Sequence, residues 1–125
     1  MKLFGFGSSA PKQELPWKEI TRLEDLAAIE EGSKHRPQVI FKHSTRCSIS
    51  SMALSRFERS WEGEEPLDIW YLDLIAYRAV SNEIADRFNV THQSPQAIMI
   101  HNGEVRYHNS HNAIDLGDIR NLITS

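Results

Sequence analysis

Segments with the pattern of a strand alternate with segments with the pattern of a helix along most of this chain. Short runs of branched and aromatic residues indicate strands, and apolar residues three or four apart indicate helices. The predicted strands are 17–20, 38–43, 67–73, 96–101 and 104–108, and the predicted helices are 21–32, 48–62, 76–88 and 114–123. The order β-α-β-α-β-α-β-β-α implies parallel pairs with right-handed crossovers. The sequence therefore predicts an α/β fold, with a central mixed β-sheet flanked by helices on both faces.

Local motifs add detail to these elements. Thr21 followed by Glu24 resembles a capping box that opens the first helix. Asn102-Gly103 is a strong hairpin signal and joins the last two strands as an antiparallel edge. The apolar residues of the second helix are expected to face the core: Ile49, Met52, Phe57 and Trp61.

Length and composition limit the class of protein. The 125 residues suffice for one domain with one core. Residues 1–14 are rich in Gly, Ser and Pro and are predicted to be a flexible tail, with the domain at 15–125. The net charge of −3, without a basic block, argues against a nucleic-acid binder. No apolar run approaches membrane-spanning length, and the apolar part of the N-terminus is too short for a signal peptide. A single cysteine excludes a disulfide scaffold, so we expect a cytoplasmic protein.

Cys47, the single cysteine, falls where the second predicted strand gives way to a helix. A thiol there faces unpaired backbone N–H groups and the positive end of the helix dipole. Both favour the thiolate, which is the reactive form, and Arg46 and His43 could add to this effect. Any redox cycle must use a sulfur from another molecule. We predict a nucleophile, although a free cysteine is commonly a small buried hydrophobe. A phosphatase loop is excluded because Ala53 stands where arginine is needed.

Ser50 stands where a C-x-x-C dithiol has its second cysteine. A hydroxyl cannot attack a mixed disulfide at Cys47, so such an adduct must persist until a second thiol arrives. Ser48 and Ser50 could equally be first-turn residues that bond to the backbone, and Arg46 a solvated turn residue. His43 is expected to be a hydrogen-bonded structural histidine beneath the turn.

Several histidines suggest a metal site, but the pattern around them does not support one. They are His92, His101, His108 and His111. Metal sites recruit Cys or carboxylate partners at defined spacings, and no such spacing is evident. Surface or capping roles are favoured, and no metal is expected.

The residues together resemble a known family. A cysteine after the first central strand and a proline directly before the next-to-last strand resemble the thioredoxin fold. Residues 41–50, FKHSTRCSIS, resemble the active-site segment of the monothiol bacilliredoxins, also called bacillithiol-system redox-active or YtxJ-like proteins. Residues 89–96 and 108–111 are also similar to the family, and the likeness covers about residues 16–124. The family usually has proline after the cysteine; Ser48 restores the N–H group there and adds a hydroxyl.

The resemblance implies a site and an activity. It implies a cis Ser94–Pro95 bond against Cys47, with the Ser94 backbone free to bind an incoming thiol. The implied site has Cys47 as the catalytic residue, Thr45, Arg46, Ser48 and Ser50 as supporting residues, and Ser94 and Pro95 as substrate-binding residues.

The implied activity is removal of bacillithiol from protein mixed disulfides by thiol–disulfide exchange. Bacillithiol, or another low-molecular-weight thiol, is then a co-substrate, protein clients are the partners, and no cofactor is bound. Two alternatives remain open. One is a non-catalytic thioredoxin-like binding module, which Ser48 in place of proline favours. The other is a one-cysteine peroxidase, in which Thr45 and Arg46 would orient the peroxide.

Overall fold

The computed structural model describes residues 15–63 and 65–124. The strands are β1 (Trp17–Glu19), β2 (Gln38–His43), β3 (Asp68–Asp73), β4 (Gln96–His101) and β5 (Glu104–Ser110). The α-helices are α1 (Glu24–Gly32), α2 (Ser48–Ser60), α3 (Arg78–Phe88) and α4 (Leu116–Thr124), with one 3₁₀ turn at His111–Ala113. The predicted order of elements is confirmed. The predicted tail, residues 1–14, lies outside the described residues.

The five strands form one mixed sheet in the order β1-β3-β2-β4-β5. β1, β3 and β2 run parallel, β4 runs antiparallel to β2, and β5 runs antiparallel to β4. The expectation of parallel pairing is wrong for β4, although a helix precedes it. The reason is that residues 89–95 return the chain to the edge at which β3 ends, and β4 begins there with Gln96 opposite Lys42.

The predicted hairpin between β4 and β5 is present, and it is tied to α1. Asn102 and Gly103 both have positive φ, at 56° and 77°, which a tight two-residue turn requires. The Asn102 N–H donates to the Ser33 carbonyl oxygen at 2.7 Å, and the Gly103 N–H donates to the Ser33 hydroxyl oxygen at 3.1 Å. This end of the sheet is therefore anchored to the end of α1.

Helices cover both faces of the sheet, as predicted. One core contains α1 and α3, and its buried members include Leu26, Ile29, Ile40, Leu72, Ile84 and Ile98. The other contains α2 and α4, and its members include Val39, Phe41, Phe57, Ile69, Met99 and Ile119. Successive residues of β2 enter opposite cores, because side chains alternate along a strand. All six residues of β2 are buried, so β2 is the centre of the domain.

Two predictions about helices are wrong. The capping box at the start of α1 does not form; instead the Asp25 carboxylate accepts hydrogen bonds from Thr21 N and Arg22 N at 2.9 and 3.1 Å. In α2, Ile49 and Met52 are exposed rather than in the core. The buried face of α2 is Ser50, Ala53 and Phe57, because its first turn places Ser50 beneath the sheet edge. Phe57 and Trp61 are buried, as predicted.

The lengths and apolar content of the helices decide whether any of them could cross a membrane. None of the helices formed by residues 15–63 and 65–124 is long and apolar enough to cross a membrane.

Candidate active site

Cys47 is the residue that starts α2. β2 ends at His43, and a turn follows in which the Cys47 N–H donates to the Ser44 carbonyl oxygen at 3.2 Å. Cys47 has an extended backbone (φ −116°, ψ 122°), and its carbonyl oxygen accepts the first helical hydrogen bond, from Ser51 N at 3.0 Å. Its side chain is half-buried and does not cap the helix. Within the part of the chain that the structure describes, the thiol has no hydrogen-bond partner, and it lies at the helix end where backbone N–H groups lack helical partners.

Ser50 is fixed in the interior directly behind this turn. It is fully buried, and its Oγ lies 2.7 Å from Nδ1 of the buried His43. The same Oγ accepts a hydrogen bond from Ser44 N at 3.0 Å. Ser50 thus joins the end of β2, the turn and the first turn of α2. The expected bond of Ser50 to the backbone is present.

The protonation of His43 decides the direction of its bond with Ser50. Burial lowers the pKa of His43 below its ordinary value, although the Asp73 and Glu58 carboxylates oppose this shift. The lowered pKa favours the neutral form of the His43 ring. The Ser50 hydroxyl oxygen has two lone pairs, so besides accepting from Ser44 N it either donates to Nδ1 of His43 or accepts from it, according to which ring nitrogen carries the proton. In either tautomer the Ser50 hydroxyl is hydrogen-bonded to both His43 and Ser44.

The Ser94–Pro95 segment lies at the same end of the sheet. Its peptide bond is cis. Pro95 is buried, and its carbonyl oxygen accepts a hydrogen bond from His111 N at 3.1 Å. Because Gln96 pairs with Lys42 in the sheet register, Pro95 lies where β2 ends and the chain turns towards Cys47. The fold thus brings this pair and the turn before Cys47 to one edge.

The Gln96 side chain fixes the loop before Pro95 by hydrogen bonds, whereas the hydroxyl group of Ser94 in the same loop has no hydrogen-bond partner among the described residues. The Gln96 side chain donates to the Thr91 carbonyl oxygen at 3.0 Å and accepts from Gln93 N at 3.4 Å. The Ser94 hydroxyl oxygen is buried and forms no hydrogen bond with any described residue. A buried polar atom without a partner is uncommon, so Ser94 retains hydrogen-bonding capacity at this edge.

A buried lysine lies beneath the same loop, and sequence reasoning missed it. Lys42 is fully buried, and its Nζ lies 3.2 Å from His92 Nδ1 and 3.5 Å from the Ser81 carbonyl oxygen. Burial lowers the pKa of Lys42 to about 8. The pKa of His92 is lowered by burial and then by the charges of Lys42 and Arg78. The available signal was a lysine that directly follows the apolar run Val39–Phe41, on the face that carries Ile40.

The remaining predicted site residues lie on the surface. Thr45, Arg46 and Ser48 are exposed, and their side chains form no hydrogen bond or ion pair with another residue in the described ranges. Arg46 therefore carries an unpaired charge one residue before Cys47. Within residues 15–63 and 65–124, no three His, Cys, Asp or Glu side chains gather as metal ligands.

The comparisons with known proteins agree with this arrangement. Residues 18–119 match the family described as monothiol bacilliredoxin BrxC. The chain belongs to the monothiol bacilliredoxin family. A solved thioredoxin-fold protein named as a candidate oxidoreductase is 28% identical, with a TM-score of 0.73 over 84% of this chain and 91% of that one. The predicted membership and the thioredoxin-like fold are confirmed.

More distant structures show the fold alone. Thioredoxin from Fasciola hepatica is 17% identical, with a TM-score of 0.64 over 86% of this chain and 96% of that one. Thioredoxin f from spinach chloroplast is 14% identical, with a TM-score of 0.68 over 87% of each chain. The monothiol bacilliredoxin match agrees with a single cysteine and with serine at position 50. The assignment is therefore to a thioredoxin-fold oxidoreductase family, in a chain with one cysteine.

Proposed function

We propose that this monothiol bacilliredoxin removes bacillithiol from protein mixed disulfides by thiol–disulfide exchange at Cys47. One observation carries the proposal. A single, half-buried thiol starts α2, while the position of a second sulfur holds a buried hydroxyl that is bonded to His43 and Ser44. Such a site can accept an adduct but cannot release it internally. Transfer to and from other molecules is the chemistry that remains.

The first step exchanges one disulfide for another. The Cys47 thiolate attacks the bacillithiol sulfur of a client–S–S–bacillithiol bond. A disulfide forms between Cys47 and bacillithiol, the client disulfide breaks, and the client sulfur leaves as a thiolate that takes a proton from water. The edge that holds Ser94 and Pro95 would position the client, with the Ser94 backbone available for strand-like pairing.

The second step restores the enzyme. A free low-molecular-weight thiol, as its thiolate, attacks the bacillithiol sulfur on Cys47. A small-molecule disulfide leaves, and Cys47 returns as a thiolate. Because each turnover consumes an external thiol, the reaction suits a reducing compartment such as the cytoplasm. Thr45, Arg46 and Ser48 surround the thiol as supporting residues, and Arg46 supplies positive charge near the reacting sulfurs.

Intact mass spectrometry tests the proposal directly. The protein is incubated with bacillithiol disulfide, with glutathione disulfide and with a bacillithiolated client, and each product is weighed. We expect one bacillithiol adduct per chain, formed faster than the glutathione adduct, together with recovery of the reduced client. Cys47→Ser should form no adduct, whereas Asn82→Ala, an exposed change on α3, should behave as wild type.

The outcomes separate the alternatives. Client binding without adduct formation would identify a non-catalytic binding module. Oxidation of Cys47 to a sulfenic acid by peroxide, faster than exchange with disulfides, would identify a peroxidase. Recovery of reduced client by Cys47→Ser at the wild-type rate would contradict the mechanism.

A further inference from the structure

The outward side of α2 carries apolar and basic side chains close to the thiol. Ile49 is 53% exposed and Met52 is 66% exposed. Arg56 and Arg59 follow Met52 by one and two helical turns, so they lie on the same side of the helix. We call Ile49, Met52, Arg56 and Arg59 the α2 outer face. Two large exposed apolar side chains beside a reactive residue are a feature of contact surfaces.

A surface groove of about 370 Å³ follows this face. It is lined by Ser51, Met52, Ser55, Arg56 and Arg59. Ser51 is four residues beyond Cys47, so the groove begins about one helical turn from the thiol. The groove therefore runs along α2 from the end of the helix that carries Cys47.

The charge of the face is positive and unbalanced. The acidic residue of α2, Glu58, accepts a hydrogen bond from Trp17 Nε1 at 3.0 Å and so is committed elsewhere. Neither Arg56 nor Arg59 takes part in any of the ion pairs formed among the described residues. A positive patch on a chain of net charge −3 is complementary to an anionic partner.

The two arginines differ in what surrounds them. Arg56 donates to the His111 carbonyl oxygen at 3.1 Å. It also borders a second groove that contains Asp115 and Asp118. Arg59 lines only the first of these two grooves. A substitution at Arg59 therefore changes the charge of the α2 outer face without altering the lining of the second groove.

Length decides between a small thiol and a protein as the occupant. Twelve residues of helix separate Cys47 from Arg59, which is about 18 Å at 1.5 Å per residue. A low-molecular-weight thiol held on Cys47 does not extend across that distance. An extended polypeptide covers it in about five or six residues. The occupant that fits is therefore a segment of a protein client.

We propose that the α2 outer face docks a client segment with an apolar residue beside the modified cysteine and acidic residues about five or six positions away. The apolar residue would contact Ile49 and Met52, and the carboxylates would contact Arg59 and Arg56. This proposal rests on the proposed function, because it names the class of client that Cys47 serves.

Peptide binding tests the surface without relying on turnover. Three peptides are compared, and each carries one cysteine in a mixed disulfide with bacillithiol and a leucine beside that cysteine. Six positions away on either side, each peptide has a pair of identical residues. The pair is Glu in the first peptide, Gln in the second and Lys in the third. Binding to the Cys47→Ser protein is measured by fluorescence anisotropy at low and at physiological salt. We expect the Glu peptide to bind roughly three- to fivefold more tightly than the Gln peptide, with a smaller difference as salt rises.

Matched variants of the Cys47→Ser protein locate the effect. Arg59→Glu should abolish the preference for the Glu peptide and favour the Lys peptide, and Met52→Asp should weaken binding of all three. Arg22→Glu should leave the preference unchanged, because Arg22 is exposed beside α1 on the other face of the sheet. Equal affinity for all three peptides would overturn the proposal, as would self-association that Met52→Asp removes, since the occupant would then be a second copy.

Bacillithiol transfer by the protein with Cys47 intact distinguishes the two proposals. Transfer at equal rates from all three peptides would refute the docking surface and leave the proposed function standing. Charge-selective binding without any transfer would refute the proposed function and support the surface.

Discussion

Ser50 shows what a single hydroxyl does at this site. It satisfies the Ser44 N–H and Nδ1 of His43 at once, in a position with no exposure to water. Removing it would leave both groups without that partner in the interior, where an unmet hydrogen bond is costly.

Ser50→Ala should therefore destabilise the domain by about 1–3 kcal/mol. Urea denaturation monitored by tryptophan fluorescence measures the change. Ser51→Ala is the matched control, because Ser51 is exposed on the next helical position and should shift the midpoint little. Equal midpoints for the two variants would mean that the bonds of Ser50 contribute nothing to stability.

Because of Lys42, the free energy of unfolding of the domain is expected to vary with pH in the alkaline range. Its pKa is lowered from 10.5 to about 8 by burial, so between pH 8 and 10.5 the unfolded chain binds more protons than the folded one. Stability from this group therefore rises with pH across that window, and the cost of the buried charge is fully present below pH 8. Burial is the cause of the lowered pKa of Lys42, and the His92 ring, which lies 3.2 Å from Nζ, is itself a group whose pKa is lowered.

Lys42→Met should remove this dependence. We expect the variant to be more stable than wild type at pH 7, by a difference that shrinks as the pH is raised to 9.5. Urea denaturation of both proteins at the two pH values measures it, and ionisable groups shared by both cancel in the comparison. A difference that stays constant with pH would show that Lys42 does not titrate in that range. The bond of Lys42 to His92 should also be lost, so exchange of backbone hydrogens in residues 91–94 should quicken.

At the scale of the element, the start of α2 is already shaped for proline at position 48. Cys47 has ψ 122°, within the range that a residue before proline prefers. Ser48 is the first helical residue, where the backbone N–H has no helical partner. Its side chain is exposed, so a ring there meets solvent.

Ser48→Pro should stabilise the domain by about 0.4–1 kcal/mol, because proline restricts the unfolded chain at a position whose folded conformation it already fits. Differential scanning calorimetry should show a melting temperature a few degrees higher. Arg59→Pro, in the last turn of the same helix, is the contrasting variant and should destabilise by about 3 kcal/mol or more. A lower melting temperature for Ser48→Pro would mean that the Ser48 N–H is used in the folded state.

The order of elements was predictable because each carries its own local pattern. β2 and β4 are short branched runs, and Asn102-Gly103 specifies its turn by itself. Periodicity also showed that α2 is amphipathic, but it placed Ile49 and Met52 on the wrong side. The buried side of the first turn is fixed by Ser50 meeting His43, a contact that apolar spacing does not encode.

Features that depend on distant pairs were not predictable. The contact between Lys42 and His92 joins residues fifty positions apart, and the local pattern around each gives no sign of the other. The reversed direction of β4 likewise depends on where residues 89–95 lead the chain. For the site, the resemblance named Cys47, Ser50 and Ser94–Pro95, whereas the bonds that fix Ser50 and the burial of Lys42 required the structure.

At the scale of the whole molecule, one substitution can raise the number of thiol groups from one to two. Ser50→Cys places a second thiol at C-x-x-C spacing from Cys47. When Cys47 holds a bacillithiol adduct, we expect this variant to release bacillithiol without added thiol and to form an internal disulfide between Cys47 and the introduced thiol. Mass spectrometry should show a chain lighter by two hydrogens, whereas Ser51→Cys should form this product more slowly. Retention of the adduct by Ser50→Cys would place residue 50 out of reach of Cys47.

In the proposed cycle, the serine at position 50 also sets the kinetic order. A resolving group in the same chain acts at a high effective concentration that does not depend on the surroundings. Without it, the second step is bimolecular, and its rate is proportional to the free thiol in the compartment. Adduct-bearing protein then accumulates as that pool is depleted and declines as the pool recovers. If the proposed function holds, the fraction of chains carrying an adduct would report the cell's reducing capacity, in addition to being a step in the repair of clients.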